Sequence, residues 1–306
     1  MLFKKLRLAV TTTALAVVCL VSPLQAGVLD HSVAGSVSDG SASIPYRLFE
    51  PQNTAPGQNV PLILYLHGMG DRGTDNTAQT TWMGNLTAKT SSGQYAAYVL
   101  APQIDTNMWF SSSTSAPTEA MSLTMMALHQ AMNNPTIDTS RVYVTGASMG
   151  AFGTWDILRR DPGVFAAAVP MSGGGDPSTA ADIKGTPIWA FHGSADSVVS
   201  VDTTRNMIVA LKAAGGSPNY TEIAGADHVI WPTVFADASN TLYPWLFSQH
   251  LGDSVDAATT NDFATAPSFA APAPVAVVGA VPEPTALALI TLGGMAILAR
   301  RRRIIL

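Results

Sequence analysis

The chain has 306 residues, 16 Lys or Arg against 21 Asp or Glu, and a formal net charge of −5. That acidic balance argues against a nucleic-acid binder, which needs a basic face to meet phosphates. A single cysteine, Cys19, excludes a disulfide framework. The first segment opens with Lys4, Lys5 and Arg7, runs apolar through Leu20 and breaks at Ser22-Pro23-Leu24-Gln25-Ala26. A positive start, a short apolar run and a small residue at the break read as a secretory signal peptide over residues 1–26. The apolar run is short for a membrane anchor. Cleavage after Ala26 would remove the only cysteine.

Residues 27–252 are one domain's worth of chain and alternate β-rich runs with helical stretches. Strands are expected at 44–49, 62–66, 98–101, 142–145, 166–171, 188–191 and 220–223. The continuously apolar runs at 62–66 and 166–169 fit strands buried on both faces, hence a mostly parallel sheet with helices on both faces. Helices are expected at 118–132, 151–159, 203–213 and 231–249. In the first, Ala120, Leu123, Met126, Ala127 and Ala131 fall at helical spacing and read as core contacts. Asp202 reads as the N-cap of the third. This alternation gives an α/β fold, with ligands expected at the carboxyl ends of the strands.

Residues 253–280 are rich in Ala, Thr, Pro and Ser, have no period, and read as a linker. Residues 281–306 follow a different order: Val281-Pro282-Glu283-Pro284, an apolar run over 285–299, then Arg300 to Arg303. This tail resembles the PEP-CTERM sorting signal of Gram-negative bacteria. The resemblance implies export across the inner membrane, a transient transmembrane helix, and removal by a membrane sorting protease of the exosortase type. A simple tail anchor is the alternative, because a basic cluster after an apolar helix stays cytoplasmic. Loss of both ends removes Lys4, Lys5, Arg7 and Arg300 to Arg303, seven of the 16 basic residues, and Glu283, one of the 21 acidic ones. Nine basic residues then face 20 acidic ones, a net charge of −11, which suits neutral substrates.

The chemistry is concentrated at Gly146-Ala147-Ser148-Met149-Gly150, which lies between a β-rich run and a helical one. That is the G-x-S-x-G nucleophile elbow in its required context. A serine hydroxyl needs a base and the base an orienting carboxylate, in the chain order Ser, acid, His. Of the histidines after Ser148, His250 ends the last helix and His192 ends a strand. His228 lies in a late loop and is the expected base. Asp196 follows the strand at 188–191 and is preferred as the acid over Asp202, read as a cap, and Asp227, adjacent to the base. His192 is expected to pack or hydrogen-bond near the strand end. The oxyanion hole is expected from the N–H of Met149 and, in the loop His67-Gly68-Met69, from that of Met69. Trp109 and Gln103 are candidates for the substrate pocket. No metal-ligand spacing, phosphate loop or dinucleotide fingerprint is present, so no cofactor is expected.

From about residue 45 to 249 the chain resembles a secreted branch of the α/β-hydrolase superfamily. The likeness is to carboxylesterases of the predicted peptidase or phospholipase type and, more distantly, to feruloyl esterases and polyhydroxybutyrate depolymerases. The segments 66–73, 101–103, 141–150, 153–155, 187–193 and 227–228 carry it; Ala151 stands where many relatives have a second glycine. The resemblance implies a carboxylic ester hydrolase that acts through an acyl-enzyme on a small or polymeric ester. Two other readings stay open: a serine peptidase of the same fold, and a non-catalytic surface or biofilm protein that binds a polymer.

Overall fold

The computed structural model describes residues 29–252. The expected signal peptide (1–26), linker (253–280) and sorting tail (281–306) lie outside the described residues.

Eight strands form one sheet in the order β1-β2-β4-β3-β5-β6-β7-β8. They are β1 (Ser32–Ser38), β2 (Ser43–Phe49), β3 (Val60–Leu66), β4 (Tyr98–Pro102), β5 (Ile137–Ala147), β6 (Ala167–Met171), β7 (Trp189–Gly193) and β8 (Asn219–Ile223). β2 runs antiparallel to both β1 and β4; every other neighbouring pair is parallel. The seven expected strands are present. β5 is longer than its apolar run because residues 137–141 extend it toward the surface.

Strand β1 has no counterpart in the sequence reading. Its residues are small and largely exposed, and it exists as an edge strand because β2 pairs with it along its whole length. Gly35 lies opposite Tyr46, whose ring occupies the space a Cβ would need.

The central strands alternate between two cores, as period-two side chains must. Leu62, Leu64, Leu66, Val142 and Val144 face one core. On that side pack α2 (Glu119–Met132), α3 (Met149–Arg160), α4 (Ala180–Ile183) and α5 (Asp202–Ala213). Ile63, Tyr65 and Tyr143 face the other core, covered by α1 (Gly84–Thr90), α6 (Trp231–Ala236) and α7 (Leu242–Phe247). Helices therefore cover both faces, and residues 62–66 are wholly buried.

Two helix expectations need correction. The stretch 231–249 is not one helix. Asp237 takes a left-handed conformation (φ 43°), and its carboxylate accepts from the N–H groups of Thr241, Leu242 and Tyr243, so it ends α6 and starts α7. Asp202 is not an N-cap but the first residue of α5, and its carboxylate pairs with Arg205 at 2.8 Å. Thr118 caps α2 by accepting from the Met121 N–H at 3.0 Å.

Candidate active site

Strand β5 ends at Ala147 and helix α3 begins at Met149, so Ser148 alone makes the turn. Its backbone sits at φ 55°, ψ −117°, a region that costs a non-glycine residue about 1–3 kcal/mol. The surrounding structure holds it there: the Ser148 N–H donates to the Met171 carbonyl at 2.9 Å, and the Ser148 carbonyl accepts from Ala151 at 2.8 Å. The flanking glycines are demanded by contact. A Cβ on Gly150 would overlap the carbonyl of Leu66, and one on Gly146 would overlap the carbonyl of Gly150.

The other two expected residues come from loops after β7 and β8. His228 Nε2 lies 2.8 Å from Ser148 Oγ, and His228 Nδ1 lies 2.8 Å from Asp196 Oδ2. Asp196 Oδ1 accepts from the N–H groups of Val198 at 2.9 Å and Val199 at 2.8 Å. Its side chain is buried. Burial pushes that carboxyl up, but the His228 bond and the two N–H donors outweigh it and hold it below its ordinary value. Asp227 serves a different purpose. It accepts from Ser197 and from the N–H of His228 at 2.7 Å, tying the two loops together.

The loop after β3 lies against Ser148. A Cβ on Gly68 would stand 3.8 Å from that of Ser148. Among the described residues, neither the Met149 N–H nor the Met69 N–H donates to another backbone carbonyl. His67 anchors this loop. Its Nε2 accepts from the Ile104 N–H at 3.2 Å, so Nδ1 carries the hydrogen and donates to the Gly68 carbonyl at 2.7 Å. Burial lowers the His67 ring to about 4 and keeps it neutral.

Asp71, in the same loop, is buried, which lifts its carboxyl to about 6 despite hydrogen bonds from the Gly68 backbone and the Trp82 side chain. The two groups oppose each other on acidification. His67 binds its proton more readily when unfolded, so its contribution falls as pH drops from 6.5 to 4. Asp71 binds its proton more readily when folded, so its contribution rises as pH drops from 6 to 3.8. Asp71→Asn is therefore expected to stabilise the protein at pH 7.5, and that gain shrinks by about 1 kcal/mol at pH 5. Urea melts of both proteins at the two pH values test this; an equal difference at both would refute it.

The pocket candidates diverge. Trp109 is 48% exposed, with the Arg72 guanidinium 5.4 Å from its ring. Arg72 also donates to the carbonyls of Met69 and Met108 at 3.2 and 3.3 Å. Gln103, by contrast, does not line the surface. It is fully buried, and its amide is occupied by the Asn76 N–H, the Asp71 carbonyl and the Asp75 carboxylate. Burial follows from its place just past β4, beneath the 71–76 loop.

Three further residues surround the Ser148–His228–Asp196 series. Ser172, at φ 55°, donates its hydroxyl to the His228 carbonyl at 2.8 Å. Trp231 sets its ring edge to face against His228, with Trp82 packed behind it. His192 lies on the far side of Asp196. Of these, Ser172 is the one that sequence reasoning misses: no motif surrounds it, and only the folded loops give it a partner. Met69, Trp82, Trp109, Val198 and Val229 form exposed apolar positions on the loops that carry the site. Among the described residues no His, Cys, Asp or Glu cluster could hold a metal ion, and no helix is long and apolar enough to cross a membrane.

Comparison with known proteins gives a match to the Phospholipase/Carboxylesterase family over residues 55–246, and to the PEP-CTERM protein-sorting motif over residues 280–303. The chain is 30% identical over 153 residues to a bifunctional acetylxylan esterase/xylanase of Neocallimastix patriciarum, covering 50% of this chain and 21% of that protein. It is 34% identical over 125 residues to poly(3-hydroxyalkanoate) depolymerase C of Paucimonas lemoignei, covering 38% of this chain and 28% of that protein. The match thus spans less than a third of either curated relative. A solved thermostable esterase superposes with a TM-score of 0.66 at 34% identity, over 73% of this chain and 64% of that one.

Proposed function

The chain belongs to the Phospholipase/Carboxylesterase family, and on that premise we propose that it is an exported serine hydrolase of neutral carboxylic esters. The observation that carries this reading is the unbroken hydrogen-bonded series Ser148, His228, Asp196 at the elbow. Ser148 Oγ attacks the ester carbonyl while His228 Nε2 takes its proton. Asp196 holds the ring with Nδ1–H toward it and stabilises the imidazolium that forms. The N–H groups of Met149 and Met69 receive the oxyanion. His228 then returns the proton to the departing alcohol, and water repeats the sequence to free the acid.

The substrate is an ester of a neutral polymer or of a fragment of one. An acidic chain repels anionic substrates, and the exposed apolar residues around the site favour uncharged ones. The names of the two curated relatives, one an acetylxylan esterase and one a polyester depolymerase, point the same way. The PEP-CTERM motif supports export and surface association in a Gram-negative bacterium. On this reading the 285–299 run enters the inner membrane only until an exosortase-type protease removes it, and 253–280 is the linker to the catalytic domain.

A fluorophosphonate probe tests the proposal. It is expected to add one covalent label, on the peptide that contains Ser148, and to abolish hydrolysis of p-nitrophenyl acetate in proportion. No turnover and no label at Ser148 would defeat the proposal.

A further inference from the structure

His192 is fully buried at the end of β7, and its surroundings over-determine where its hydrogens sit. Its Nδ1 lies 2.8 Å from Thr204 Oγ1. That hydroxyl is itself 2.6 Å from the carbonyl of Gly173. A carbonyl has no hydrogen to give, so an oxygen–oxygen approach this short uses the one hydrogen of the Thr204 hydroxyl. The hydrogen in the Nδ1 contact must then come from the ring. On the opposite side, His192 Nε2 lies 3.1 Å from the Val199 carbonyl and 3.0 Å from Asp196 Oδ2. Both are acceptors, so this nitrogen needs a hydrogen as well.

We infer that His192 is a doubly protonated positioning residue, which clamps the Asp196 carboxylate from the side opposite His228. The inference rests on the proposed role of Asp196 in the Ser148 site. Asp196 Oδ2 then sits between two imidazole rings, His228 at 2.8 Å and His192 at 3.0 Å. The buried ring charge is compensated by the carboxylate and satisfied at both nitrogens, as a buried charge must be. The other charged groups around the ring are Glu222, its register partner on β8, and Arg205 of α5, which binds both Glu222 and Asp202. Asp227 lies beyond Ser197 in the neighbouring loop.

Such a clamp has two effects. It fixes the Asp196 oxygen that orients His228. It also sets a positive charge behind that oxygen, which opposes protonation of His228 and extends activity toward lower pH. A merely structural histidine would have the first effect through folding alone and would lack the second.

The test uses the purified full chain, its His192→Gln and Thr204→Val variants, and Ser148→Ala as the inactive control. Glutamine keeps a donor without the charge. Valine removes the hydroxyl that forces a hydrogen onto Nδ1, so the ring can become neutral. For His192→Gln we expect kcat to fall about tenfold or more with KM within about twofold. The acid limb of kcat/KM should move up by about half a pH unit or more. Thr204→Val should move that limb in the same direction. Histidine-ring nitrogen spectra of the unsubstituted protein, assigned by the loss of one ring in His192→Gln, should show both His192 nitrogens bearing hydrogen near neutral pH. Variants that melt like the parent and leave the acid limb in place would overturn the inference. So would a His192 ring with one bare nitrogen. If glutamine prevents folding, Thr204→Val decides, through its acid limb and through the one ring whose nitrogen signals it shifts in the spectra. If the parent hydrolyses no ester, the proposed function fails, while the ring spectra still settle the state of His192.

Discussion

Ser148→Ala is expected to lower kcat for ester hydrolysis by about 10⁴- to 10⁶-fold, with the fold intact. Alanine keeps the Cβ, so the turn stays at its positive φ and gains no relief. Only the oxygen 2.8 Å from His228 Nε2 is removed. The proposed oxyanion donors and the binding surface remain, so a small residual rate should survive. Ser148→Gly separates chemistry from strain at the same position. It should be equally inactive yet more stable, by roughly 1 kcal/mol, because glycine adopts φ 55° without steric cost. Thermal melts and initial rates on p-nitrophenyl acetate read both effects. A Ser148→Ala protein within about tenfold of the parent would remove this serine from the mechanism.

Gly150→Ala is expected to destabilise the protein by about 3–5 kcal/mol. Most added methyl groups can be absorbed by turning a neighbouring side chain. Here the obstacle is main chain: the Leu66 carbonyl, and then that of His67 at 2.9 Å. Relief requires α3 to move away from β3. That movement would separate the Met149 N–H from the Gly68–Met69 loop, so activity should fall more than the loss of folded protein explains. Urea unfolding and kcat per folded molecule measure the two parts. A change of under about 1 kcal/mol would show that the helix can shift freely.

These glycines explain why the turn at Ser148 could be read from the sequence while much else could not. Gly146 records a local collision with the Gly150 carbonyl and Gly150 a collision with the end of β3, and both marks fall inside one five-residue motif. The assignments of Asp196 and His228 came from chain order, which the parallel sheet enforces by delivering each loop to the same edge. Strand β1 left no such mark. Its apolar content is Val33, Ala34 and Val37, and its structure depends on β2 supplying the partner. The break at Asp237 was legible in principle, since Asp237-Ala238-Ser239-Asn240 has turn composition, but the apolar period across 231–249 masked it. Gln103 follows a strand that ends at the site, which made it look like a pocket residue; its burial depends on a loop folding over it from 28 residues away in sequence. His192 stood in plain view four residues before Asp196. What it does depends on Thr204 and Gly173, which only tertiary structure brings beside it.

The Arg72 side chain has a mechanical consequence. It bridges the carbonyl of Met69 to the carbonyl of Met108 and lies over the ring of Trp109. The peptide segment proposed to present an N–H to the developing negative charge is thus strutted to the exposed ring of Trp109. A bulky group that displaces Trp109 would pull on Arg72, and through it on Met69. Fit at that ring and speed at the carbonyl are geared together, so this enzyme would discriminate among esters through turnover as much as through affinity.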